Sequence, residues 1–119
     1  MLEIMPESQE NILGVKATGK LTSQEFQEVL VPRLQAIIQK HGRVRVLFSL
    51  DEDFQGWDME ALQQDGFGRQ ILKAFQRIAV VGASWQVSLQ MKLMALLISG
   101  EVRNFSRGSL PEAWTWIRD

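Results

Sequence analysis

The segment from Arg77 to Asp119 constrains the fold more than any other part of the chain. Arg77-Ile78-Ala79-Val80-Val81-Gly82 is an apolar run rich in β-branched residues and closed by glycine, the pattern of a buried strand. Ser84-Trp85 opens an apolar helix, Glu101-Val102-Arg103-Asn104-Phe105 reads as another strand, and Pro111 to Ile117 forms a short closing helix. Strands that alternate with helices call for a sheet whose parallel strands are joined by right-handed crossovers.

The residues before Arg77 extend the same pattern. Leu2–Met5 and Ile12–Ala17 flank a polar turn, Pro6–Asn11, and predict an antiparallel strand pair that ends at Gly19. Thr22-Ser23-Gln24-Glu25 matches a capping box, in which Thr22 accepts from the Glu25 amide and Glu25 reaches back. Behind it Phe26, Leu30, Leu34 and Ile38 recur every four residues as one apolar helix face, closed by Gly42. Pro32 lacks a backbone donor, so a kink is expected near Glu28–Val31.

Val44–Phe48 predicts a central strand, followed by the loop Ser49–Trp57. Asp58 is placed to cap a helix through Met59, Leu62, Ile71, Leu72 and Phe75, bent at Gly66-Phe67-Gly68. The order is β-β-α-β-α-β-α-β-α: an α/β fold with a mostly parallel five-stranded sheet and four helices. With no repeat and no linker, residues 1–119 read as a single domain.

Composition removes whole classes of function. Net charge is −1, and no stripe of Lys and Arg runs along the sequence, which argues against a nucleic-acid partner. Without cysteine, and with His41 as the one histidine, thiol catalysis and thiolate or multi-histidine metal sites are excluded, and no cofactor motif is present. The N-terminal residues lack a basic region and a long apolar run, so no secretory signal is expected. The most apolar segment, Trp85–Ile98, is interrupted by Gln86, Ser88, Gln90 and Lys92 and is shorter than the roughly 20 residues of a transmembrane helix. The expected compartment is the cytoplasm.

Several local features, taken in order, resemble the SpoIIAA-like family, the bacterial STAS/SEC14-type domains. They are the Pro6-Glu7 turn, Gly19-Lys20-Leu21-Thr22, Pro32-Arg33-Leu34, Gly56-Trp57-Asp58, Arg77 to Gly82 with Trp85, Glu101 to Phe105, and the Ala113 to Trp116 spacing. The resemblance implies a βα sheet domain, usually dimeric, without enzymatic chemistry. Regulatory members of the wider group carry a phosphorylatable serine where the helix after the third strand begins. Here Asp58 holds that position, preceded by Trp57, so phosphorylation is not expected to switch this chain there. Relatives of the SEC14 branch, which bind lipids, are larger.

Two loops, Ser49–Trp57 and Gly82–Trp85, lie at the carboxyl ends of the strands, where open α/β sheets bind ligands. Trp57, Asp58, Ser84 and Trp85 are the candidate ligand-binding residues. Trp57 either plugs the sheet end or lines a pocket, and Ser84 either caps its helix or meets an anion. Asp51-Glu52-Asp53 could offer oxygens to a hard cation, but it lacks the glycine and distal glutamate of an EF-hand, so no metal site is assigned. Trp116 is expected in the core.

A helix as apolar as Trp85–Ile98 needs cover on more than one side, and Met91, Met94, Leu97 and Ile98 are the candidate interface residues. The function this predicts is a non-catalytic binding or regulatory domain. It would be a homodimer acting through protein–protein contacts. The alternative is a small carrier of an apolar or lipid-like molecule at the strand ends.

Overall fold

The computed structural model describes residues 1–57, 73–96 and 98–119, and the backbone alone at Ser23, Trp57 and Met94. Strand β1 (Leu2–Ile4) pairs antiparallel with β2 (Ile12–Ala17). The connection between them is too short for a crossover, so a hairpin is the available geometry. Ser8 ties that turn together: its Oγ donates to the Met5 carbonyl at 2.7 Å and accepts from the Gly14 amide at 2.9 Å.

After β3 (Lys20–Leu21), the helical run α1 spans Ser23–Glu25, Phe26–Leu30 and Val31–His41 without a break. Thr22 caps it, its Oγ1 accepting from the Glu25 amide at 3.2 Å. The Glu25 carboxylate meets the Thr22 hydroxyl at 3.4 Å and the N-terminal ammonium at 3.2 Å. The irregularity expected beside Pro32 is a π-helical turn over Phe26–Leu30, in which the Val31 amide reaches back to the Phe26 carbonyl. That wide turn precedes Pro32, which sits in the first turn of the regular helix where its missing N–H is harmless. Gly42, at φ 78°, closes the helix as the sequence predicts.

Strand β4 (Val44–Leu50), the two-residue β5 (Gly56–Trp57) and β6 (Phe75–Val81) follow. Helix α2 (Trp85–Ala95), edge strand β7 (Glu101–Phe105) and helix α3 (Leu110–Arg118) complete the chain. The main sheet has the order β1-β2-β4-β6-β7, with every pairing after β1–β2 parallel, while β3 and β5 form a separate parallel pair.

Four expectations need correction. The sheet is mixed rather than mostly parallel, because the hairpin puts β1 antiparallel at one edge. Among the described residues there are three full helices instead of four; of the helix expected from Asp58 through Phe75, residues 58–72 lie outside them, and Lys73 and Ala74 are helical. Phe75, assigned to that helix, begins β6 and is buried. Residues 49–57 are not all loop, since β4 continues to Leu50 and β5 forms within them.

Alternation along the strands divides the core in two. On one face Val15, Val46, Phe48, Ile78 and Val80 pack against Phe26, Leu30 and Leu34 of α1 and Val87 and Met91 of α2. On the other Leu47, Ala79 and Val81 meet Ala113, Trp114 and Ile117 of α3. Trp114, not Trp116, is the fully packed tryptophan of α3. It lies on Gly14, where a Cβ would come within 2.6 Å of the indole.

Candidate functional site

The carboxyl ends of the parallel strands are closed by backbone and capping contacts. Gly82 leaves β6 at φ 83°, with the Leu50 carbonyl 2.9 Å from where its Cβ would stand, so a side chain here would be both strained and crowded. Arg107 donates to the Gly82 carbonyl at 3.1 Å, and the Gly82 amide bonds the Phe105 carbonyl. Ser84 is the cap of α2: its Oγ accepts from the Val87 amide at 3.3 Å.

The acidic loop is occupied in the same way. The Asp51 carboxylate accepts from the Glu52 amide, Asp53 from the Gly19 amide, and the Asp51 amide bonds the Ala17 carbonyl. Among the described residues no three potential ligands gather in one place.

Strand order bears on the crevice argument. From β2 through β4 and β6 to β7 the parallel strands succeed one another in a single direction, so the chain never reverses between neighbours. A crevice of the kind found at a topological switch point needs that reversal. Nearby, Gln90 of α2 has an unpaired, buried Oε1 close to Gly56, 3.5 Å from where a Cβ would be. Of the four candidate ligand residues, Ser84 and Trp85 open α2, Asp58 lies outside the described residues, and Trp57 is described by its backbone in β5.

Helix α2 carries the most exposed apolar surface among the described residues. Trp85 is 76% exposed, Leu89 54%, Leu93 55% and Leu96, just past the helix end, 82%. Steps of four, four and three place them on one stripe, opposite Val87 and Met91, which enter the core. Met91 (0% exposed) and Ile98 (8%), both proposed for the interface, are buried within the chain: the sheet takes the Met91 side of the helix, and Ile98, past its end, joins the same core. The side chains of Met94 and Leu97 lie outside what is described. The outward leucines were missed, although the spacing of Trp85, Leu89 and Leu93 was there to be read.

A second feature, not anticipated, lies on the α3 face. Arg45 donates to the Ile117 carbonyl at 2.9 Å and to Gln76 at 2.8 Å, and Arg77 donates to the Trp116 carbonyl at 2.7 Å. Cationic donors at a helix C-terminus satisfy free carbonyls and oppose the negative end of the dipole. The Arg77 guanidinium lies 5.0 Å from the Trp116 ring centroid, and Arg103 5.2 Å from that of Phe105. Burial, reinforced by Arg77 and Arg43, lowers the Arg45 pKa from its usual value, while Asp119 opposes the shift.

Comparison with known proteins agrees with this architecture. The SpoIIAA-like family model matches residues 12–118. A crystal structure of an uncharacterized protein from the DUF3478 family with a SpoIIAA-like fold, from Shewanella loihica PV-4, superposes with a TM-score of 0.73 at 21% identity. The alignment covers 98% of this chain and 93% of that one. No curated protein matches the chain. A family match of this extent, over a sheet and helices with the same fold, is decisive: the chain belongs to the SpoIIAA-like family.

Proposed function

We propose that this domain works by binding rather than catalysis, as a self-associating module for protein–protein contacts. The observation that carries the reading is the stripe of Trp85, Leu89, Leu93 and Leu96 on the outer side of α2. Apolar side chains left in water along two turns and more gain free energy when a partner covers them, at about 25 cal/mol per Å². The strand-end loops support the non-catalytic part, because Ser84, Asp51 and Asp53 are engaged in caps and turns. Replacing Trp85 and Leu96 together by lysine tests the reading, since both stand outside the core. Sedimentation equilibrium should show the parent chain associated and the double variant monomeric. Equal masses for the two would remove the stripe as the contact surface.

One observation favours a second reading, a carrier of an apolar molecule with a polar end. The buried Oε1 of Gln90 and the buried Nε2 of Gln27 have no hydrogen-bond partner; a ligand hydroxyl could donate to the first, and a ligand hydroxyl or carbonyl could accept from the second. Native mass spectrometry of the purified chain tests it: a retained small molecule supports carriage, and its loss in Gln90→Leu would tie it to this site.

A further inference from the structure

Strand β7 is an edge of the sheet with an unfilled side. The Phe105 carbonyl accepts from Gly82 after β6, so the backbone groups of Phe105, Arg103 and Glu101 point toward β6. Those of Val102 and Asn104, the alternate residues, point away from the sheet, and among the described residues nothing meets them. β7 is a short edge whose charged side chains, Glu101 and Arg103, are of opposite sign; it contains no proline or lysine, and its pairing with β6 runs without a bulge.

We propose that two copies of this chain join β7 to β7 antiparallel, with Val102 on the twofold axis. The proposal rests on the self-association reading and gives it a seam. A twofold normal to the sheet keeps the α2 faces of both copies on one side, and the residue on the axis then opposes itself. Centring on Glu101 would set carboxylate against carboxylate, and centring on Arg103 guanidinium against guanidinium. Centring on Val102 sets Glu101 opposite Arg103 of the second copy, twice, in the close non-hydrogen-bonded positions where opposite charges favour pairing. The outward groups of Val102 then bond their own counterparts, and those of Asn104 meet Gly100 of the second copy.

The helices agree with this seam. A right-handed crossover from β6 through α2 to β7 lays α2 over the free edge. The twofold brings the two α2 helices to about 10 Å, an ordinary packing distance. Helical spacing puts Ser88, Lys92 and Ala95 on the flank of α2 opposite Gln90, which reaches Gly56, so this flank turns toward the axis with Trp85 and Leu96 next to it, and Lys92 can extend its amine to water.

Charge reversal at two exposed residues tests the register. Glu101→Arg and Arg103→Glu should each convert the dimer to monomer in light scattering, and the double variant, which restores the pairing in mirror form, should recover it. Because the chain has no cysteine, Val102→Cys should oxidise to a covalent dimer while Asn104→Cys should not. If the reversals stay dimeric and Trp85→Lys with Leu96→Lys is monomeric, the seam is wrong and self-association through α2 stands. A cross-link at Asn104 instead of Val102 would overturn the register. A parent chain that is monomeric throughout would overturn both the seam and the reading beneath it.

Discussion

Trp114 and Trp116 sit two positions apart and have different work. The edge of the Trp114 ring lies against Gly14, with Ala113 and Ile117 beside it in the core, and its indole N–H is buried without a partner. Trp114→Ala should lose about 3–5 kcal/mol in denaturant unfolding, the usual cost of truncating a buried aromatic. Trp116 is half-buried against Phe105 and Arg77, and its replacement by alanine should cost about 1–2 kcal/mol, mostly the tilted ring contact and the cation–π contact. Gly14→Ala should destabilise by about 1–3 kcal/mol, because the added methyl must push the Trp114 ring aside. Helical periodicity does separate the two tryptophans, because Leu110, Ala113, Trp114 and Ile117 follow the i, i+3, i+4, i+7 spacing of one face, and expecting Trp116 in the core missed that signal. What periodicity could not give is the room for the indole, supplied by a missing Cβ on a strand about a hundred residues earlier in the chain, a non-local condition.

At the scale of elements, what was legible followed local rules. The cap at Thr22, the stop at Gly42 and the disturbance before Pro32 each depend on a few neighbouring residues, and each stands where the pattern puts it. The two-residue strands β3 and β5 are too short to show alternation, so a loop was the natural reading there. The apolar character of α2 was legible as well, but not which side the sheet would take. That choice buries Met91 and exposes Leu89 and Leu93. Helix α3 gives a test of element stability. Arg77→Ala removes a donor from its last carbonyls, and amide hydrogen exchange in α3 should accelerate by roughly tenfold, corresponding to about 1–1.5 kcal/mol. Unchanged protection would mean that the packing of Trp114 and Ile117 alone holds the helix.

For the whole molecule, a mixed sheet carries α1 and α2 on one face and α3 on the other. Its strand order lacks the reversal that makes a ligand crevice, which shifts attention from the strand ends to the outer stripe of α2 and the open side of β7. Among the described residues no helix is long and apolar enough to cross a membrane, so the stripe is not part of such a span. Family membership is shown over most of the chain and carries the fold, while the contact role proposed here rests on the exposed side chains themselves. On the reading proposed above, the module works as a pair. Light scattering over a dilution series from about 100 to 1 micromolar tests it most directly, in a range where specific interfaces of ordinary size hold together. Twice the 13.6 kDa chain mass is expected at the upper end, falling toward the monomer only on dilution; a single 13.6 kDa species at every concentration would mean that the domain does not pair.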